Sequence, residues 1–194
     1  MKKQTITTRT ITGVAIFTAI VIVLQLLGSF IRFGPFSISL VLIPIVVGAA
    51  LYGPAWGAWL GFVFGVVVLL SGDAAPFLVV NPFGTIVTVL LKGALAGFAA
   101  GVVYKALERM NTWFAVIFAA IVCPVVNTGI FLLGCELFFM ETVTEWAQGA
   151  GYESAGRFMI FGLVGVNFLI EMLVNLLLSP VILRLIRLGR EHAK

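Results

Sequence analysis

Apolar runs long enough to cross a bilayer follow one another along almost the whole chain, and this feature constrains its fold most. A membrane-spanning helix needs about 20 mostly apolar residues. The mean hydropathy is +1.17, and 61% of the residues are hydrophobic, whereas roughly half are apolar in a soluble domain. We therefore predict an all-α integral membrane protein. Its six spanning helices are expected near residues 11–31, 37–52, 55–71, 83–106, 112–139 and 158–187.

These helices use nearly all of the sequence, so we expect a single six-helix transmembrane domain over residues 1–194. The basic residues indicate its orientation, because short loops that carry Lys and Arg stay cytoplasmic. They lie at the N-terminus, after the fourth helix and at the C-terminus: Lys2, Lys3, Arg9, Lys105, Arg109, Arg184, Arg187, Arg190 and Lys194. Both termini of this cell-membrane protein are therefore expected in the cytoplasm. The net charge of +4 indicates topology and not nucleic-acid binding.

Residues for catalysis and metal binding are scarce. The single histidine, His192, lies in the terminal tail, and no nucleophile and base can be paired elsewhere. Cys123 and Cys135 fall in one predicted helix, where they are expected to pack rather than to form a disulfide or a metal site. The sequence also lacks a G-x-x-x-x-G-K-[ST] phosphate loop. We predict no enzyme, metal or cofactor, and if ATP drives the protein, another chain hydrolyses it.

A polar stripe runs along the fourth predicted helix. Asn81, Thr85, Thr88 and Lys92 are spaced i, i+4, i+7 and i+11, which places them on one helical face. Asn81 precedes Pro82 and could instead be an N-cap, and the threonines could bond their own backbone. A lysine at mid-bilayer costs about 2.5–3.5 kcal/mol, so it needs a partner or a function. Lys92 is therefore expected either to contact a ligand or to pair with Glu171.

Three other predicted helices also carry polar side chains at membrane depth. Asn167, Glu171 and Asn175 form an i, i+4, i+8 stripe on the sixth helix, and Asn127 lies close to Pro124 on the fifth. The first helix adds Thr18, Gln25 and Ser29. The most economical arrangement brings these groups together around one water-accessible cavity. One lysine, one glutamate and several amides suit a small polar organic ligand, including an acid, better than an ion pathway.

Two rows of glycines are spaced four residues apart. Gly53, Gly57, Gly61 and Gly65 run along the third predicted helix, and Gly93, Gly97 and Gly101 along the fourth. Small residues at this spacing let helix backbones approach closely. We predict helix packing within the chain, with sliding against another helix as the alternative.

These features together resemble the substrate-binding S components of energy-coupling factor (ECF) vitamin transporters. The segment SISLVLIPIVVGAALYGPAWGAWLGFVFG looks like the hairpin of the second and third helices in that family, and AIFTA on the first helix contains Ala15 and Ala19. In the family, an alanine-x-x-x-alanine motif at this place contacts the transmembrane T subunit. The resemblance implies that the T subunit and two ATPase subunits are partners, alongside membrane lipid.

The resemblance also implies where substrate binds, namely the outer part of helices four, five and six under a lid of outer segments. Carried onto this chain, it favours Lys92, Asn127, Asn167 and Glu171, with the loop after Phe33 and the stretch 73–81 as lid candidates. Asn81 and Thr88 complete the candidate substrate-binding residues.

The implied substrate is a B-vitamin or a related micronutrient. The lysine favours pantothenate or a folate-like acid, and riboflavin also falls within the range of the family. The alternative is an autonomous ion-coupled secondary transporter for a small polar solute. The two halves of the chain show no convincing internal repeat, which makes this alternative less attractive.

Overall fold

A computed structural model describes residues 7–29, 32–33, 36–37 and 40–191. The predictions that involve Lys2, Lys3, His192, Lys194 and the loop directly after Phe33 lie outside these residues. The helices and strands are α1 (Thr8–Gly28), β1 (Arg32–Phe33), β2 (Phe36–Ser37), α2 (Leu42–Tyr52), α3 (Pro54–Leu70), α4 (Ala75–Val80), α5 (Pro82–Leu107), α6 (Thr112–Phe138), α7 (Met140–Gly149), α8 (Ala155–Arg157), the π-helix Phe158–Gly165, α9 (Val166–Leu177) and α10 (Ser179–Glu191).

The predicted all-α membrane fold is confirmed. In the part of the chain that the structure describes, four helices are long and apolar enough to cross a membrane: Thr8–Gly28, Pro82–Leu107, Thr112–Phe138 and Ala155–Leu177. Two shorter apolar helices, Leu42–Tyr52 and Pro54–Leu70, form the predicted hairpin. Gly53 joins them with a φ of 101°, in the left-handed region that glycine adopts without strain.

The second helix was predicted to begin too early. It begins at Leu42 and not at residue 37, because Ser37 belongs to β2, where it pairs with Arg32 in an antiparallel ladder. Phe33 pairs with Phe36 in the same ladder. A short apolar run does not by itself distinguish a strand from a helix, which explains the error.

The last predicted helix, 158–187, is not continuous. It contains the π-helix Phe158–Gly165, and it is interrupted at Leu178 before α10 begins at Ser179. Pro180 accounts for the interruption, because proline has no N–H and its ring clashes with the carbonyl four residues earlier. The Ser179 hydroxyl donates to the Asn175 carbonyl at 3.0 Å and so satisfies a backbone oxygen at the break.

The two glycine rows pack against each other and hold α3 and α5 together. A Cβ added to Gly61 would collide with the Gly93 carbonyl, and one added to Gly97 would collide with the Gly57 carbonyl. Gly65 likewise lies against the backbone of Val89. The prediction of helix packing within the chain is therefore confirmed.

Two apolar clusters fill the bundle. The larger one joins α2, α3, α5, α6 and α10 through residues such as Leu42, Leu60 and Ile182. The smaller one gathers Phe77, Phe139 and Leu163 where α4 and α7 close one end of the molecule. We call this end the α4/α7 end. A cavity lined by residues of both clusters lies between them.

Candidate functional site

A partly enclosed cavity lies toward the α4/α7 end. Polar and apolar side chains line it together, and it opens outward on one side. The walls come from α1, α3, α4, α5, α6, the π-helix and α9, and from the segments that precede α4 and follow α6. Its lining residues are Gln25, Phe64, Val68, Asp73, Ala74, Phe77, Thr85, Thr88, Val89, Lys92, Asn127, Thr128, Phe131, Phe139, Leu163, Val164, Asn167, Phe168 and Glu171.

Helix register orders this lining into layers. Thr85 lies one turn inside the start of α5, and Gln25 lies one turn before the end of α1. Lys92 lies ten residues after Pro82, which is about 15 Å along the helix at its rise per residue. The cavity therefore has a shallow layer near the α4/α7 end, with Gln25, Asp73 and Thr85, and a deep layer that contains Lys92.

Three buried polar atoms of the lining have no hydrogen-bond partner among the residues that the structure describes. They are Thr88 Oγ1, Asn127 Oδ1 and Asn167 Oδ1, from α5, α6 and α9 respectively. A buried acceptor without a partner costs about 1–3 kcal/mol, so such atoms are uncommon unless something else binds them. Since all three belong to residues that line one cavity, the polar groups of a small solute could satisfy them together.

Lys92 lies between two aromatic rings. Its Nζ is 5.1 Å from the centroid of the Phe131 ring and 5.9 Å from that of Phe64, within the range of cation–π attraction. Glu171 lines the same cavity and is only 4% exposed. Its Oε1 accepts a hydrogen bond of 3.4 Å from Asn167 Nδ2. The deep part of the cavity thus combines one cation, one carboxylate and amides on an aromatic support.

Asp73 lines the cavity, although it was not among the predicted substrate-binding residues. Its Oδ2 accepts hydrogen bonds from Gln25 Nε2 at 2.9 Å and from the Ser71 hydroxyl at 3.0 Å. Gln25 is 1% exposed and ties α1 to the segment between α3 and α4. Only two features of the sequence indicated this pair. Gln25 is a polar residue in an apolar helix, and Asp73 lies at the start of the predicted lid stretch.

The structure brings five of the six predicted substrate-binding residues together: Lys92, Asn127, Asn167, Glu171 and Thr88 all line the cavity. Asn81 does not line it. Its Oδ1 accepts from the Gly84 N–H at 2.9 Å and so caps α5, as the N-cap alternative described. Thr85 bonds the Asn81 carbonyl at 2.8 Å while also lining the cavity.

The other predicted polar residues of α1 serve its own backbone. Thr18 donates to the Val14 carbonyl at 2.8 Å and accepts from Trp59 Nε1 at 3.2 Å. Ser29 donates to the Leu26 carbonyl at 2.7 Å. Ala15 and Ala19 are exposed on α1, and neither is among the cavity residues. They leave a face of small side chains open to a neighbouring helix.

Aromatic side chains cover the shallow part of the cavity. The Phe77 ring lies edge-on to Phe131, Phe139 and Trp146, with centroids 5.1–5.5 Å away. Trp146 comes from α7, so this short helix is fixed against the cavity wall through Phe77. The packing of Trp146 on Phe77 favours a role in closing the cavity over one as an interfacial anchor.

A bundle of membrane-crossing helices around a polar cavity near one end defines a membrane protein that binds a small solute. Comparison with known families supports this class: the family "ECF transporter, substrate-specific component" matches residues 9–183. The chain belongs to this family. It is thus a multi-pass cell-membrane subunit for transport and not an enzyme, as the sequence predicted.

One curated relative is named for a particular substrate. The chain is 26% identical over 198 residues to "Pantothenic acid transporter PanT" of Lactococcus lactis subsp. cremoris (strain MG1363), covering 92% of this chain and 94% of that protein. No solved structure matches this chain.

Proposed function

We propose that this chain captures pantothenate, or a closely similar hydroxylated carboxylic acid, and delivers it to an ECF module made of a T subunit and two ATPase subunits. The observation that carries the proposal is the set of unsatisfied acceptors, Thr88 Oγ1, Asn127 Oδ1 and Asn167 Oδ1, in the cavity that also contains Lys92. An acid with hydroxyl and amide N–H groups supplies both the anion for Lys92 and donors for these oxygens.

The relative adds independent support for this substrate, since it is named as a pantothenic acid transporter and aligns over nearly its full length. Folate-like acids and riboflavin are larger and remain the comparison ligands. In our proposal the whole chain acts as one six-helix domain.

We propose that the α4/α7 end faces outward and that both termini are cytoplasmic. The acidic residues Glu141, Glu145 and Glu153 lie on or beside α7, whereas Lys105 and Arg109 flank the connection at the other end of α5. This distribution agrees with the tendency of basic loops to stay inside. The cavity then receives substrate from outside, and labelling of an introduced cysteine at Gln148 by an impermeant reagent tests this directly.

The exposed alanines of α1 are proposed as the contact for the T subunit. Ala15 and Ala19 are both exposed and lie one helical turn apart, so a partner helix could approach the α1 backbone closely. Cavity and contact face are on different sides of α1, because Gln25 and the neighbouring Val21 are buried. Substrate binding and partner binding should therefore be separable by mutation.

Equilibrium binding by the purified chain tests the function. The protein without partners or ATP should bind one pantothenate, measured by titration calorimetry, and bind riboflavin and folate at least tenfold more weakly. Preference for another vitamin would replace the substrate but keep the class. Uptake into liposomes by the chain alone, driven by an ion gradient, would instead support the autonomous carrier.

A further inference from the structure

A second concave region lies on the surface of the bundle, between α6 and the last spanning helix. Among its described lining residues, Thr128 alone has a polar side chain. We call this region the α6/α9 groove. Thr128, Val164 and Phe168 line both the groove and the cavity described above, so the two share one wall. The apolar lining of the groove includes Val125, Gly129 and Leu132 from α6, and Ile160, Phe161 and Leu169 from the π-helix and α9.

The groove lies at the depth of the lipid tails. α6 has 27 residues, which is about 40 Å of helix and matches a bilayer of about 40–45 Å with its headgroups. Between Leu132 and Val125, the groove runs from about 9 to about 20 Å below the end of α6 at Phe138. The headgroups occupy only about the outer 5–8 Å of each leaflet. Acyl chains of the bilayer therefore surround the groove.

The shape of the groove suits a flexible chain better than a helix. A Cβ added to Gly129 would enter open space, so the α6 backbone is accessible there. The large side chains of Ile160, Phe161 and Leu169 are 54–68% exposed and stand at the opposite edge. A closely packed helix needs small residues on both partners, and these large side chains would hold it away. An acyl tail can bend into the space between them and gain dispersion contacts with both sides.

We propose that the α6/α9 groove binds one acyl chain of a membrane phospholipid, which lies behind the wall of the cavity. The chain fills the open space over Gly129 and contacts Phe161 and Leu169 on the other side. Recognition depends on shape and apolar surface and not on the headgroup, because the groove lies below the headgroup layer. This tail exchanges more slowly than the other lipids around the bundle, since it contacts two helices at once. The inference holds whichever substrate the cavity binds.

Photolabelling in a bilayer tests the proposal. The full-length chain is placed in phosphatidylcholine nanodiscs, in which a small part of the phosphatidylcholine carries a photoreactive diazirine halfway along one tail, and the labelled residues are identified by mass spectrometry. Residues 125–132 and 160–169 should carry about fivefold more label per exposed residue than the α5 surface. Leu91 and Leu95 represent that surface, because both are exposed and lie at a similar depth, about 14 and 20 Å after Pro82.

Gly129→Trp fills the groove and should lower the label on residues 160–169 to the level of the α5 surface, while the label on α5 itself stays unchanged. Leu133→Trp is the matched control, since it adds the same side chain to an exposed position of α6 outside the groove, and the label on residues 160–169 should not change. Gly129→Leu is a smaller filling residue for the case in which Gly129→Trp does not fold, and it should lower the label in the same way.

The outcomes distinguish the possible occupants. Equal labelling of the groove and the α5 surface in the wild type would mean that only exchanging bulk lipid is present, and this would overturn the proposal. Strong labelling that neither substitution of Gly129 reduces would overturn it as well. Labelling below that of the α5 surface would mean that protein covers the groove, which also contradicts the proposal, and crosslinks between chains would then identify a second copy as the occupant.

Discussion

Replacing Lys92 with methionine separates its two possible roles. Methionine keeps an unbranched chain of similar length and removes the charge. If Lys92 binds the carboxylate of the ligand, the variant loses a hydrogen bond to a charged group, which contributes about 1.5–3 kcal/mol. The Kd for pantothenate should then rise about 10- to 150-fold.

The stability of the ligand-free protein should not fall in this variant. The two ring contacts of Lys92 with Phe64 and Phe131 contribute about 0.5–1 kcal/mol each. Keeping a lysine at membrane depth costs about 2.5–3.5 kcal/mol, which is more than these contacts return. A structural ion pair with Glu171 predicts the opposite, because removal of one partner of a buried pair costs about 3–5 kcal/mol.

Two measurements on the same preparation decide between these roles. Calorimetry gives the Kd, and circular dichroism of the detergent-solubilised protein gives the unfolding midpoint. Lys105→Met is the control, since Lys105 is exposed in the last turn of the same helix and away from the cavity. A large loss of stability with an unchanged Kd would refute ligand contact and assign Lys92 to the pair with Glu171.

Three further predictions concern the helix interface, the partner surface and the cap. Gly61→Ala should lower stability by about 1–3 kcal/mol because of its collision with the α5 backbone, whereas Gly129→Ala, which meets open space, should gain up to about 1 kcal/mol in unfolding experiments. Ala19→Trp should prevent co-purification with the T subunit and leave the Kd for pantothenate unchanged, and Leu133→Trp, on the exposed side of α6, should affect neither. Asn81→Ala should lower the unfolding free energy by about 1 kcal/mol through loss of the cap without a change in affinity, and a large affinity loss would return this residue to the site.

The bounds of a helix could be predicted from the sequence wherever one long apolar run covered the whole helix. Long apolar runs predicted α1, α5 and α6 to within three residues at each end, because only a helix satisfies its backbone inside a bilayer. The strand pair and the π-helix were not predicted, since both depend on local hydrogen bonding that apolar composition does not encode. Pro180 indicates the break before α10. The apolar run continues past this proline, however, and for that reason a single helix was predicted over 158–187.

Much of the candidate site was also predicted from the spacing of the polar residues, because residues four positions apart lie on the same face of a helix. Spacing does not show how each helix is rotated about its axis, and this rotation decides which stripe enters the cavity. Asn81 illustrates the limit: it continues the stripe of Thr88 and Lys92, yet the turn where α5 begins uses its side chain as a cap. Asp73 was missed for a different reason. It lies outside any helix, so no helical spacing relates it to the other cavity residues.

The rotation of α5 is set by the glycine interface. Gly93 lies against Gly61, and this close contact prevents rotation of α5 about its axis. The adjacent residue, Lys92, points about 100° away from the Gly93 position around the axis. Its Nζ lies over the Phe64 ring of α3. A Cβ on Gly93 would also come within 3.2 Å of Phe64 Cδ1. The same close contact that joins the two helices therefore orients both the cation and one of its aromatic supports, so packing at this interface determines the geometry of the proposed site.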